Sequence, residues 1–221
     1  MPAPHLILAS TSPRRQELLA LGKVAFDIAR VEVDEDPRRN EMPRDYVLRL
    51  ASDKGNAARA EVSDRTAIII SADSTIALDG AIIGKPSGGD EATSILLSLR
   101  SRTHLAYSGV ALTKVSDGSQ LTDVAITEVP MRDYSDREIR DYVESGDPLD
   151  KAGAYAIQNA EFHPVDSMSG CMANVIGLPL CHLQRNLRKL GASFENDIAA
   201  KCQSHLRYEC PVTKKILAWE I

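Results

Sequence analysis

Short apolar runs and helically spaced apolar positions take turns along the chain, with polar punctuation between them. The first run, Leu6-Ile7-Leu8, suits a buried strand. A helix start follows: Ser12 is a good N-cap residue and Pro13 falls at the first helical position, where its missing N–H costs nothing. Leu18, Leu19 and Leu21 give that helix an apolar side, and Gly22 can stop it. Residues 24–28 read as a strand. A helix is predicted from near 43 to about 60, with Val47, Leu50, Ala51 and Ala58 as its apolar stripe. Residues 67–72 form a continuous apolar run, expected as a strand buried on both faces in the middle of an α/β sheet and ending at Asp73. Segments 75–78 and 81–84 flank Asp79-Gly80, a hairpin turn. Residues 91–99 read as a helix. Segments 103–115 and 121–131 read as an antiparallel hairpin around Ser116-Asp117-Gly118-Ser119. A further helix over 135–143 opens with a Ser135/Glu138 capping box. Residues 150–158 mix charge and small side chains with a short strand, 173–176 are apolar, and Gly177-Leu178-Pro179 leads into a last helix to about 190.

Three places break this pattern in a way that suggests chemistry. The turn before the first helix carries Ser10, Thr11, Ser12, Arg14 and Arg15. Free N–H groups at a helix start attract anions, and a guanidinium fork suits phosphate oxygens, so this is either a phosphate cradle or an ordinary capped helix with solvated arginines. Lys54 sits seven residues after Val47 on an otherwise apolar stripe. It either snorkels from the edge of that face or points into a polar cleft. Asp73 stands at the carboxyl end of the central strand, where open α/β sheets bind ligands; its plain alternative is a turn cap with Ser74 or Thr75. With Lys85 and Lys151 on the basic side and Asp34 and Glu35 on the acidic side, the set matches what a triphosphate with a divalent metal needs. The oxygen ligands suit Mg²⁺ or Mn²⁺ rather than zinc.

Composition narrows the field. The 221 residues fit one large domain or two lobes sharing a sheet. A net charge of -5 argues against nonspecific nucleic-acid binding. No apolar run is long enough to span a membrane, and no signal peptide precedes Leu6. Four cysteines without CxxC spacing are neither a zinc ribbon nor a disulfide framework, so a reducing, cytoplasmic location is expected. There is no GxSxG for serine hydrolysis and no HExxH among the five histidines. Cys171 would serve as a nucleophile only with a histidine close in space. From Gly191 the character changes to two cysteines, basic residues and the sole tryptophan, Trp219: a packed extension or a partner-binding arm.

The motifs SxSPRRxxLL, SADST, GKP, DKAGAYxIQ and NVxGLP occur in this order, and by them the chain resembles the Maf family of nucleoside triphosphate pyrophosphatases between about Leu6 and Leu190. The resemblance implies an α/β fold with a curved mixed sheet in two lobes around a central cleft, similar to the inosine triphosphate pyrophosphatase fold, over residues 1–190. Residues 191–221 are left as an extension of unknown role. It implies a homodimer that uses a divalent metal and cleaves nucleoside triphosphates between the α- and β-phosphates. The general base of the family is matched by Asp73, the acid after the second strand by Glu35, and the two motif lysines by Lys54 and Lys85; Glu35 and Asp73 are the implied metal ligands. Ser10 through Arg15 match the phosphate- and base-contacting turn, with Ser10, Ser12, Arg14 and Arg15 as the implied contacts. Arg14, Ser74 and Gln158 match the positions that mark dTTP/UTP-type members, and a neutral glutamine amide pairs with a pyrimidine edge as donor and acceptor. A 7-methyl-GTP pyrophosphatase, or a nucleotide-binding regulator of septum formation, is the alternative. The sequence departs from the family at Ser74, which lacks the usual threonine methyl, at Ser71, where glycine is usual, and at Cys171-Met172, where Ser-Tyr is frequent.

Overall fold

The structure, a computed structural model, describes residues 4–218. A single mixed sheet runs in the order β2 (Phe26–Ile28), β1 (Leu6–Leu8), β3 (Ile68–Leu78), β5 (Thr103–Lys114), β6 (Gln120–Pro130), and β4 (Ala81–Ile83) pairs with the far end of β3. β1 is parallel to both of its neighbours. The pairs β3–β4, β3–β5 and β5–β6 are antiparallel. The helices are α1 (Pro13–Ala20), α2 (Pro43–Glu61), α3 (Gly89–Leu99), α4 (Asp136–Glu144), α5 (Met172–Ile176), α6 (Leu180–Lys189), α7 (Ile198–Leu206) and α8 (Thr213–Leu217). Most predicted elements form where the pattern puts them, including the capping box, in which the Glu138 N–H donates to the Ser135 hydroxyl.

Two long strands, β3 and β5, tie the halves together, pairing from Ile68↔Lys114 to Ala77↔Leu105. The first half of β3 and the second half of β5 belong to one core, and the remaining two halves to another. Leu6, Leu8, Ile68, Ile70, Ala72, Val110 and Leu112 pack with α1 and α6. Ile76, Leu78, Ala106 and Val129 pack with α3 and α4. On the opposite face of the first half, Ile7, Ile69 and Val115 pack with Ala58 of α2. Between the two cores β3 carries Asp73-Ser74-Thr75, so the polar break in the apolar pattern is the seam between two lobes.

That seam corrects one expectation. The two strands predicted on either side of Asp73 are one strand of eleven residues, and Asp73 lies in its middle, opposite Gly109, rather than at a carboxyl end. Three polar residues do not end a strand when one neighbour, β5, pairs with it without interruption from Ile68 to Ala77. Other differences are local. Segment 150–158 forms no strand; it makes short 3₁₀ turns at Asp147–Asp150 and Ala152–Ala154, with Gly153 at a positive φ of 76°. Ser12 has extended N-cap backbone but its side chain makes no cap hydrogen bond; its N–H donates to the Ser10 hydroxyl at 3.3 Å. α6 is not the last helix, since α7 and α8 follow it.

Residues after 190 pack onto the rest. Phe194 and Ile198 lie in the first core, and Ile216 packs with Cys181 and Ala199. A Cβ at Gly22 would sit 2.2 Å from the Phe194 ring, so the end of α1 has no side chain because the tail lies on it. Asn196 donates to the Leu21 carbonyl at 2.9 Å. Trp219 lies outside the described residues. Among the described residues no helix is long and apolar enough to cross a membrane.

Candidate active site

Side chains alternate along β3, and this alternation distributes the seam. Ile69, Ser71 and Asp73 share one face, toward α2: Ile69 packs with Ala58, and the Ser71 hydroxyl donates to the Ala51 carbonyl at 2.6 Å. Ser74, on the other face with Ala72 and Ile76, meets α1 and the residues after α5. One strand therefore presents a carboxylate to the α2 lysine and a hydroxyl to an α1 arginine.

On the α2 side, Lys54 Nζ lies 2.6 Å from Asp73 Oδ1 and 2.6 Å from Glu35 Oε1. The Lys54 and Asp73 side chains are 12% and 10% exposed, and Glu35 is 50% exposed. The helix comes this close because Gly109, opposite Asp73, has no side chain; a Cβ there would stand 2.3 Å from the Val47 carbonyl oxygen. The loop that carries Glu35 is strapped to α2. Arg49 makes two contacts to Glu41, at 2.6 and 2.8 Å, and donates to the Asp34 and Asp36 carbonyls. The Tyr46 hydroxyl donates to the Glu35 carbonyl at 2.8 Å. Burial opposes charge on Glu35, but the Lys54 hydrogen bond and the attraction of Lys54, Lys85 and Arg15 outweigh it, so its carboxyl sits below its usual range. Burial and the nearby Asp73 and Glu35 charges push the Tyr46 hydroxyl up to about 12.

On the α1 side, Arg15 is held by three acceptors: Nε donates to the Gly177 carbonyl at 2.9 Å, and the two terminal nitrogens donate to the Ser10 and Ser74 hydroxyls at 3.4 and 3.1 Å. Ser74 Oγ lies 2.8 Å from Ser108 Oγ, which donates to the Asn174 carbonyl at 2.9 Å. The Asn174 amide in turn donates to the Ala106 carbonyl and the Thr127 hydroxyl. Desolvation lowers the Arg15 pKa, and the Asp73 and Glu35 charges partly restore it.

A cleft of about 420 Å³ opens between the lobes, and Ser10, Ser12, Arg14, Arg15, Glu35, Lys54, Ser74, Lys85 and Gln158 all line it. Asp73 is not among the lining residues; it lies behind Lys54, which lines the cleft and is paired with it. Lys85 is exposed at the rim. Arg14 faces Asp150 at 3.7 Å across the lobes, and Lys151 is paired with Asp147 at 3.1 Å and Asp150 at 2.5 Å. Asp34, beside Glu35 in sequence, instead closes a turn by accepting the Asp36 N–H at 3.0 Å. Sequence reasoning missed Ser108, Tyr46 and the Gly177 carbonyl. Only the NVxGLP motif pointed toward the last of these; Ser108 and Tyr46 carried no local signal.

An α/β protein with a charge-rich cleft between two lobes is the class that this fold and site define. Residues 5–190 match the family described as Maf-like protein, and the chain belongs to that family. It is 44% identical over 186 residues to the dTTP/UTP pyrophosphatase of Methylococcus capsulatus, covering 84% of this chain and 91% of that one. It is 42% identical over 190 residues to the dTTP/UTP pyrophosphatase of Dictyoglomus turgidum, covering 86% and 97%. With that of Geobacter metallireducens it shares 40% over 188 residues, covering 85% and 97%. The Staphylococcus aureus Ham1 protein structure overlays with a TM-score of 0.43 and 13% identity, over 58% of this chain and 72% of that one, too loosely to bear on the site.

Proposed function

We propose that this chain is a nucleoside triphosphate pyrophosphatase that hydrolyses dTTP, UTP or modified pyrimidine triphosphates at the α–β bond, releasing the monophosphate and pyrophosphate. The observation that carries the reading is the convergence of Lys54 on Asp73 and Glu35 at the seam of the two lobes, with Arg14, Arg15 and Lys85 around the same cleft. The names of the relatives at about 40% identity support the substrate class.

Each side chain has a task in this reading. Arg15 offers a guanidinium already oriented by Gly177, Ser10 and Ser74, and with Arg14 and Lys85 it holds phosphate oxygens, helped by the Ser10 and Ser12 hydroxyls. Asp73, oriented by Lys54, takes the proton of the water that attacks the α-phosphorus. Lys54 places positive charge where the pyrophosphate leaves. Gln158, Ser74 and Arg14 read the base. Glu35 and Asp73 are two hard-oxygen donors that already share one cation, Lys54, and these two carboxylates would hold a Mg²⁺ or Mn²⁺ ion. When bound, that ion supplies further positive charge to the phosphate oxygens. A homodimer in a reducing, cytoplasmic setting belongs to the same reading; the four free cysteines support the setting.

The test is pyrophosphate release from dTTP, UTP, CTP, GTP, 7-methyl-GTP and modified pyrimidine triphosphates, with Mg²⁺ and then Mn²⁺. Asp73→Asn is the control: nearly isosteric, but unable to accept the proton. Preference for dTTP and UTP, lost in the control, is expected. Preference for 7-methyl-GTP overturns the roles of Gln158 and Ser74. No release from any nucleotide by folded protein overturns the enzymatic reading in favour of a nucleotide-binding regulator.

A further inference from the structure

The tail brings two cysteines onto two cysteines of the main domain. Cys171 immediately precedes α5 and Cys181 lies in the first turn of α6; Cys202 is on α7 and Cys210 lies in the loop before α8. All four are free thiols, and all four line one small pocket with Leu180, Ala199 and Leu206. Within it, the Cys171 and Cys210 thiols are close enough to perturb each other's acidity. Both backbones are fixed here. Cys210 Sγ lies 3.6 Å from the Gly170 carbonyl, and the Cys210 N–H donates to the Gln203 side chain at 2.9 Å. The Tyr208 hydroxyl accepts the Gly170 N–H at 3.1 Å and lies 3.0 Å from the Met168 carbonyl, so the tail also clamps the segment leading into Cys171.

We propose that Cys171 and Cys210 are a peroxide-responsive thiol pair that closes to a disulfide and locks the tail to the start of α5. Two sulfurs lining one small pocket, with Cys210 Sγ 3.6 Å from the carbonyl of the residue before Cys171, need little movement to bond. In a reducing compartment such pairs rest as thiols and form disulfides transiently.

The two sulfurs differ in role. Cys210 is half-buried, whereas Cys171 is only 7% exposed. The neighbouring Cys171 thiol lowers the Cys210 thiol to about 6 against its desolvation, with help from the Thr213 side chain and the Val212 and Thr213 N–H groups. The Cys210 thiol, together with burial, raises Cys171. The more exposed Cys210, with its thiol lowered, is placed to attack, and the buried Cys171, with its thiol raised, to resolve. The Cys210 thiolate attacks a peroxide oxygen; the S–O bond forms, the O–O bond breaks, hydroxide leaves, and the sulfur becomes a sulfenic acid, oxidised by two electrons. The Cys171 sulfur then attacks the Cys210 sulfur; the S–S bond forms, the S–O bond breaks, and the hydroxyl leaves with the Cys171 proton as water. The hydroxide of the first step takes up the proton that Cys210 had shed. In sum, two thiols and one peroxide give one disulfide and two waters. The cross-link stands beside the cleft: Cys171 accepts the first helical bond of α5 from Asn174, and α5 ends at Gly177, whose carbonyl holds Arg15.

Full-length protein, reduced and freed of reductant, is treated with a small molar excess of hydrogen peroxide, alkylated and digested with trypsin. The expected product is peptide 152–185 joined to peptide 208–214, lighter by two hydrogens, with fragmentation placing the link on Cys171 rather than Cys181, and reversed by dithiothreitol. Cys171→Ser is expected to abolish the link and leave a Cys210 sulfenic acid that dimedone captures, while Cys181→Ser leaves the link intact. Unsubstituted protein in concentrated urea is expected to form the link at least ~10-fold more slowly, because the folded chain holds the pair together. A dominant link through Cys181 or Cys202, over-oxidation of Cys210 without any link, or an equal rate in urea overturns the proposal.

Discussion

Replacing Lys54 with methionine isolates the charge at the centre of the cleft. The Lys54 side chain is only 12% exposed, and methionine is unbranched and of similar length, so it fills much of the same space and deletes the ammonium. Asp73, 10% exposed, then loses a cation at 2.6 Å, while Glu35, 50% exposed, turns to water. Removing one partner of a buried ion pair costs about 3–5 kcal/mol, and the half-exposed pair adds about 0–1. Arg15 still attracts Asp73, which places the loss near the lower end, about 3 kcal/mol. With a urea slope of about 2–3 kcal/mol/M, the unfolding midpoint followed by far-UV circular dichroism falls by about 1–1.5 M. Asp73→Asn alone leaves Lys54 paired with Glu35 and costs about 1–2 kcal/mol. The double variant removes both charges, so its cost is smaller than the sum of the two by at least about 1.5 kcal/mol. None of the three variants releases pyrophosphate from dTTP. Additivity within about 0.5 kcal/mol, or an unchanged midpoint in Lys54→Met, would refute the buried pair and make Lys54 a solvated lysine.

Three further outcomes follow from the geometry. Gly109→Ala puts a Cβ against the Val47 carbonyl at 2.3 Å, so α2 must shift; a loss of about 3 kcal/mol in thermal or urea unfolding is expected, with turnover falling as Lys54 moves. Arg15→Lys keeps the charge but not the fork that reaches Gly177, Ser10 and Ser74; steady-state kinetics should show KM for the triphosphate raised about 10-fold, near 1.4 kcal/mol. The Arg49 hydrogen bond lowers the Glu41 carboxyl from 4.5 to about 2, so the folded state binds fewer protons than the unfolded state between those values. That stability is present in full above about pH 4.5 and is lost as the pH falls toward about 2; urea midpoints across this window should drop more steeply for the unsubstituted protein than for Glu41→Gln.

Much of this protein was legible from residue order because the signals were local. The β5–β6 hairpin announced itself through a polar turn between two apolar segments, α4 through its capping box, and α2 through a stripe whose single flaw, Lys54, marked the cleft. A charged side chain on an apolar face needs a partner, so the anomaly carried information before any coordinate did. What was illegible depended on partners far along the chain. β3 read as two strands because hydropathy breaks at Asp73-Ser74-Thr75, yet ten residue pairs with β5 hold it continuous through the break. Segment 150–158 held strand-like residues but forms short 3₁₀ turns instead, bent at Gly153 with its positive φ of 76°.

Sequence alone therefore determined which residue types are available and where the helices, turns and charged exceptions fall, since propensity and periodicity act over a few neighbours. Tertiary structure decided which of them meet. The alternation of β3 sends Asp73 to α2 and Ser74 to α1, and the bare Gly109 lets α2 approach until Lys54 reaches two carboxylates. The Gly177 carbonyl reaches Arg15 across 162 residues of chain, and the tail brings Cys210 into the pocket that Cys171 lines. Such contacts form only when long-range packing of two cores on one sheet brings them together, and no local pattern encodes them.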